Sequence, residues 1–193
     1  MNVSIPSLVF VAFLAAYLSI RGVFMRRARH DKAVSRAGTI DRVLVALVGI
    51  GQVVLPLLFV WTPWLALADR AQPDACTIPG VAAMASGLWL FWRSHVDLGQ
   101  SWSVTLELNA DHRLITRGVY RFVRHPMHLS FFVLGIGQAL LLANWIAGLS
   151  GLASVALLVI VRVPNEECMM IGQFGDEYRD YMRRTGGVVP RLP

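Results

Sequence analysis

The chain has 193 residues, 55% of them hydrophobic and only 16% charged, with a net charge of +6. Soluble domains carry about 25% charged residues, so this is the composition of a membrane protein, and the length suits one domain. The positive charge does not point to nucleic acid, because Arg and Lys gather in three segments beside apolar runs and form no compact basic module.

The first apolar run, 3–20 (VSIPSLVFVAFLAAYLSI), has no positive segment before it and is followed by RGVFMRRAR. Those flanks are wrong for a signal peptide, and the run reads as a retained transmembrane helix with its N-terminus outside. The second run, 43–68, holds Pro56 in its middle and Pro63 near its end. A bilayer core needs about 20 helical residues, so the span ends near Trp61 to Trp64, which suit the interfacial aromatic belt. The third run, 78–92 (IPGVAAMASGLWLFW), is short and ends with Trp89 and Trp92 before Arg93.

Residues 93–127 form the longest polar interval, with a short extended arm and turn expected over 105–111. A loop that long in a compact membrane protein is usually functional. The run 129–162 is then apolar throughout and too long for one span. Asn144 and Trp145 divide it into a tight helical hairpin, and Pro164 is expected to close the fifth helix. The remainder, 165–193, is polar and is expected to begin with an amphipathic helix.

The basic residues test this topology. One cluster follows helix 1, a second lies between helices 3 and 4, and a third lies in the tail from Arg162; of all 18, only Arg70 falls in the 2–3 loop, beside Asp69 and Asp74. By the positive-inside rule the 93–127 segment and the tail are cytoplasmic. The expected fold is an all-α integral membrane protein of five transmembrane helices, with a cytoplasmic C-terminal helix and a cytoplasmic loop closing its site. It is a single membrane domain over 1–193, with helices 1–3 in 1–92 and the chemistry in 93–193. Cys76 and Cys168 fall on opposite sides, so no disulfide joins them. The tetrapeptide GIGQ occurs at 49–52 and again at 135–138, each in mid-helix; small residues with a Gln point to close helix packing.

The cytoplasmic edge gathers Glu107, His112, Tyr120, Arg124, His125 and His128 from one side, and Arg162, Glu166 and Glu167 from the other. Helices 4 and 5 are antiparallel, so residue 125 lies near residue 166 by topology alone. Ionisable groups at membrane depth are functional by default. Structural readings stand beside this one. Arg124 and Arg162 can serve as snorkelling anchors, and Glu166 and Glu167 can favour the first turn of a new helix after Pro164. A metal site is a sharper rival, since His125 and His128 are three apart. Pro126 pushes the preceding residue out of helical geometry, however, and no HExxH or cysteine pair is present; no metal is expected. There is no GxSxG and no GxGxxG after a strand, so any nucleotide-like cofactor is bound in some other way.

The runs HRLITRGVYRFVRHPMHLS (112–130) and RVPNEECMMIGQFGDEYRDYM (162–182), joined by a helical hairpin, resemble the isoprenylcysteine carboxyl methyltransferase family and its phospholipid methyltransferase relatives. The motifs are G-V-Y followed by R-H-P, and E-E followed by F-G-x-E-Y; the resemblance covers about 95–193. It implies S-adenosylmethionine as methyl donor, with S-adenosylhomocysteine as product. The implied cofactor contacts are Glu107, His112, Arg113, Leu114, Ile115, Tyr120, His125, Pro126, Met127, His128 and Glu166. The implied catalytic residues are Arg162 and Glu166, with Arg162 and Glu167 toward the acceptor. One departure stands out: His128 occupies the position where the family usually has Tyr.

The chemistry agrees. The cofactor is a zwitterion with a cationic sulfonium; its carboxylate asks for donors such as His125, its ammonium for a carboxylate such as Glu166, and its sulfonium for an aromatic face such as Tyr120. A lipid-like prenylated acceptor with a free carboxylate is ionised at pH 7 and needs placement by a cation, for which Arg162 is suited. A phospholipid amine would need a base, His128 or Glu167. A non-catalytic ligand-binding or transport protein is the alternative from another class. Membrane lipids are the surrounding partner, and nothing in the pattern specifies an oligomeric state.

Overall fold

The structure is a computed structural model that describes residues 3–28, 38–99 and 114–191. Among them every regular element is helical. Helix α1 is Ile5–Ala28, α2 is Thr39–Trp61, α3 is Thr77–Leu98, α4 is Pro126–Leu141, α5 is Trp145–Phe174 and α6 is Asp176–Arg184. Four of these, α1, α2, α3 and α5, are long and apolar enough to cross a bilayer. At 16 residues, α4 spans about 24 Å, less than a hydrocarbon core of about 30 Å. Large apolar side chains such as Ile5, Ile40, Ile78 and Ile160 lie exposed along the helices, as they do when the surrounding solvent is lipid.

The sequence reading of α2 holds: the helix ends at Trp61. Pro56 is accommodated by a wide turn over Ile50–Val54, in which the Leu55 N–H reaches Ile50 O. In that register the next donor would be residue 56, which has no N–H, so the carbonyl of Gly51 needs an outside donor. Gln138 Nε2 supplies one at 2.9 Å and Ser150 Oγ another at 2.7 Å. A Cβ on Gly51 would lie 2.5 Å from Ser150 O, so only glycine lets α2 and α5 come this close. Gln52 Nε2 reciprocates by donating to Phe131 O on α4 at 2.9 Å. The two GIGQ stretches are thus opposite halves of one buried polar seam among α2, α4 and α5. The apolar core beside it is built from Phe10, Tyr17, Phe59, Phe91, Phe131 and Leu134.

Two boundaries depart from expectation. The third helix does not stop at Trp92 but runs to Leu98, so the polar interval starts later than the sequence suggests. Arg93 and Asp97, one turn apart, pair at 2.9 Å and carry the helix past its apolar part. Nor does Pro164 close the fifth helix: α5 continues through it to Phe174. The Arg162–Glu166 pair spans that turn, and Asn165 Nδ2 donates to Val161 O at 3.0 Å. A proline costs a helix the bond to one carbonyl, here that of Ile160, and these side-chain bonds hold the turn across it. The amphipathic helix begins only at Asp176, after the break at Gly175. Glu166 and Glu167 therefore lie deep inside a helix, and a first-turn dipole role does not account for them.

The hairpin turn is as expected. Asn144 caps α5, its Oδ1 accepting from the Ala147 N–H at 2.8 Å, while its Nδ2 donates to Leu65 O and Asp69 Oδ1.

Candidate functional site

Arg162 lies about 26 Å along α5 from Trp145, so an interfacial Trp145 puts the Arg162–Glu167 turn at the far edge of a hydrocarbon core about 30 Å thick. The α4 N-terminus meets it there. As the residue before Pro126, His125 sits outside the helix at φ −121°, ψ 60°, as the steric rule requires. From that capping position its ring reaches across to α5: Nδ1 lies 3.3 Å from Glu166 Oε2 and Nε2 3.2 Å from Glu167 Oε1. His128, one turn on, has Nδ1 4.0 Å from the same Glu166 oxygen, and the two imidazoles stack obliquely with centroids 5.6 Å apart. Pro126 keeps the histidines off a shared helical face but does not keep them apart. Arg162 Nε donates to the other Glu166 oxygen at 2.6 Å, and Arg124 donates to Glu167.

Five of the residues expected in the site therefore converge: His125, His128, Arg162, Glu166 and Glu167. Burial alone would push His125 below the usual histidine range, but its bonds to Glu166 and Glu167 outweigh that and hold it above. The cluster gathers ionisable groups of both signs whose side chains are largely buried. The donor atoms of His125, His128 and Glu166 all lie within 4.8 Å of one another, close enough to chelate a transition metal. The Arg162 guanidinium beside Glu166 opposes a divalent cation; it suits a zwitterion that brings its own carboxylate. The donor set thus fits an amino-acid-like ligand.

The other expected contacts are placed differently. Pro126 is the first residue of α4, and Met127 packs against the apolar core. Tyr120 is buried in a short turn, Gly118–Arg121, its hydroxyl donating to Ser94 O at 3.4 Å. Burial raises its pKa, so it stays neutral. Leu114 and Ile115 are half-buried in the segment leading to that turn. Glu107, His112 and Arg113, and the extended arm, lie outside the described residues.

Sequence reasoning missed Asp97 and left Arg124 between a site residue and a snorkelling anchor. Asp97 Oδ2 accepts from the Val119 N–H at 2.9 Å and anchors the Tyr120 turn to α3. Gly118 there has φ 62°, and a Cβ would strike Asp97. The available signal was an acidic residue one turn after Arg93, at a helix C-terminus where the dipole disfavours it. A snorkelling Arg124 would reach water; instead its side chain is only 11% exposed and is bonded on all sides.

Fold and site together define a multi-pass, all-helical integral membrane protein whose ionisable groups converge at one end of a helical hairpin. Residues 81–172 match the profile of the isoprenylcysteine carboxyl methyltransferase (ICMT) family. The protein-S-isoprenylcysteine O-methyltransferase of Schizosaccharomyces pombe is 33% identical over 109 residues, covering 55% of this chain and 46% of that protein. The human enzyme of the same name is 36% identical over 84 residues, 44% of this chain and 30% of that one. The chain spans about half or less of the length of these relatives. A solved structure of the eukaryotic intramembrane Ras methyltransferase ICMT superposes with a TM-score of 0.57 at 23% identity, covering 94% of this chain and 67% of that one. At that identity the likeness concerns the fold.

Proposed function

We propose that this protein is a membrane-embedded S-adenosylmethionine-dependent methyltransferase that esterifies the carboxylate of a lipid-like, prenylcysteine-type acceptor. The observation that carries the reading is the His125–Glu166–Arg162 array, which presents an imidazole, a carboxylate and a guanidinium in sequence. His125 and neighbouring backbone N–H groups hold the cofactor's carboxylate, and Glu166 holds its ammonium. When bound, the cofactor supplies an activated methyl carbon. Arg162 places the acceptor carboxylate for in-line attack. The chain's contribution is proximity and alignment, since an ionised carboxylate needs no base. His112, Arg113, Leu114, Ile115, Tyr120, Pro126 and Met127, with Glu107, complete the cofactor contacts by family resemblance.

The chain is proposed to form one membrane domain with α4 as a short fifth span, the N-terminus outside, and the site and α6 on the cytoplasmic side. That orientation rests on the distribution of Arg and Lys. A water-soluble cofactor then enters from the cytoplasm and a lipidic acceptor from the bilayer. A second reading, methylation of a phospholipid or small-lipid amine, is favoured by His128, which stands beside Glu166. Glu167 is a poor base for it, being held by both Arg124 and His125.

The test is methyl-labelled S-adenosylmethionine with purified protein and three acceptors: N-acetyl farnesylcysteine, phosphatidylethanolamine and native lipid extract. Label in farnesylcysteine as a base-labile ester supports the first reading, and label in the amine the second. Folded protein that binds no S-adenosylhomocysteine sinks both and leaves a non-catalytic membrane protein.

A further inference from the structure

We propose that Arg124 is a positioning residue that uses the C-terminal segment 178–187 as a brace to hold Glu167 against His125. Only its consequence for cofactor affinity rests on the methyltransferase reading. The segment lies beyond residue 172, where the match to the family ends.

The geometry is that of a three-way junction. Arg124 Nε and Nη2 both donate to Glu167 Oε1, at 3.0 and 2.8 Å. Nη1 points the other way, to Met182 O at 3.2 Å and to Thr185 O. The backbone follows the side chain: the Arg124 N–H reaches Gly186 O at 2.8 Å, the His125 N–H reaches Gly187 O at 3.2 Å, and Val123 bridges Gly186 in parallel register. The Tyr181 hydroxyl donates to Tyr120 O, and Tyr178 is buried beside the arginine. The sequence therefore places RH directly before Pro126 so that one residue reads the tail and the next reads α5.

An unsupported glutamate on a helix samples several rotamers, and ordering it is entropically costly. Here two Arg124 donors fix Glu167 Oε1 in the rotamer that also accepts from His125 Nε2. The task needs the planar, divergent fork of an arginine, since an ammonium group cannot serve the carboxylate and two backbone carbonyls in those directions at once. The groups against the His125 ring are Glu166 and Glu167 of α5 and His128 of α4; one bond further out stand Arg162, on Glu166, and Arg124, on Glu167. Among them Glu167 is the one that Arg124 controls.

The experiment uses the full chain in detergent, ligand-free, with R124Q, R124K and E167Q. The readouts are the NMR titration midpoint of His125, thermal stability, and affinity for S-adenosylhomocysteine. R124Q and R124K are expected to lower the His125 midpoint and to weaken affinity about tenfold or more. E167Q, which keeps every Arg124 bond to the tail carbonyls, is expected to lower the midpoint as well. Folded R124Q with wild-type midpoint and affinity overturns the proposal, and so does full rescue by R124K, which would mean that charge alone suffices. If R124Q does not fold, an unchanged midpoint in E167Q overturns it instead. Wild-type protein that binds no S-adenosylhomocysteine defeats the methyltransferase reading, while the midpoint comparison still decides the role of Arg124.

Discussion

Arginines and carboxylates meet the α4–α5 hairpin at both of its ends, and the two ends use them differently. At the closed end, Arg70 donates to Ala139 O and Leu142 O, Gln72 donates to Leu140 O, and Asn144 holds Leu65 O. These are mostly carbonyls of the last turn of α4, which have no donor within their own helix. Arg70 also lies over the Trp145 ring at 4.9 Å. At the open end, Arg162, His125 and Arg124 bond mainly to the carboxylates of Glu166 and Glu167. Backbone acceptors cannot turn away without undoing a helix, whereas a carboxylate can exchange one cation for another. The closed end is therefore a clasp, and the open end can receive a charged ligand. Arg124 joins the two habits, with one hand on backbone and one on a carboxylate.

The comparison breaks first at Glu166 and His125. Each alanine variant is expected to weaken S-adenosylhomocysteine binding on the order of 100-fold, because a buried partner charge is left unpaired. Isothermal titration in detergent reads this, and wild-type affinity in both variants would remove the open end as a ligand site. Arg162→Ala is expected to come next: turnover lost, with cofactor affinity within a few-fold of wild type. A loss of cofactor affinity matching Glu166→Ala would instead make Arg162 part of the cofactor contact.

Asn144→Ala inverts the pattern. It should lower thermal stability by about 1–3 kcal/mol, through the lost cap and the buried bonds to Leu65 and Asp69, and leave ligand affinity unchanged. A variant of normal stability and impaired binding would contradict the division of labour between the two ends. The smallest effect is that of pH. His125 is held above its ordinary value by Glu166 and Glu167, so it binds its proton more tightly folded than unfolded. Its contribution to stability is complete below about pH 6.5 and is lost as pH rises through the folded value. His125→Gln should therefore lower the melting temperature of the ligand-free protein more at pH 6 than at pH 8.

Much of the fold was legible because lipid enforces simple rules. Apolar length marked α1, α2, α3 and α5. Asn144 marked the hairpin, since a capping side chain that interrupts a long apolar run is where one helix ends and the next begins. Pro164 misled because a proline stops an isolated helix, yet here it costs one bond in a helix held along its length by neighbours. The convergence of His125 with Glu166 was legible from antiparallel topology. The role of Asp97 and the second grip of Arg124 were not, because there the partners, the Val119 N–H and the carbonyls of Met182 and Thr185, are backbone groups. A backbone acceptor carries no letter in the sequence.

The sequence by itself determined a helical membrane protein, the hairpin, and the set of ionisable residues brought to one edge of it, because hydropathy and charge are properties of the residues alone. Only the tertiary structure decided which cation meets which carboxylate, that the two GIGQ stretches interlock, and that the tail closes on Arg124. Those outcomes depend on where backbone donors and acceptors are left unmatched once the helices pack, and the packing makes those groups.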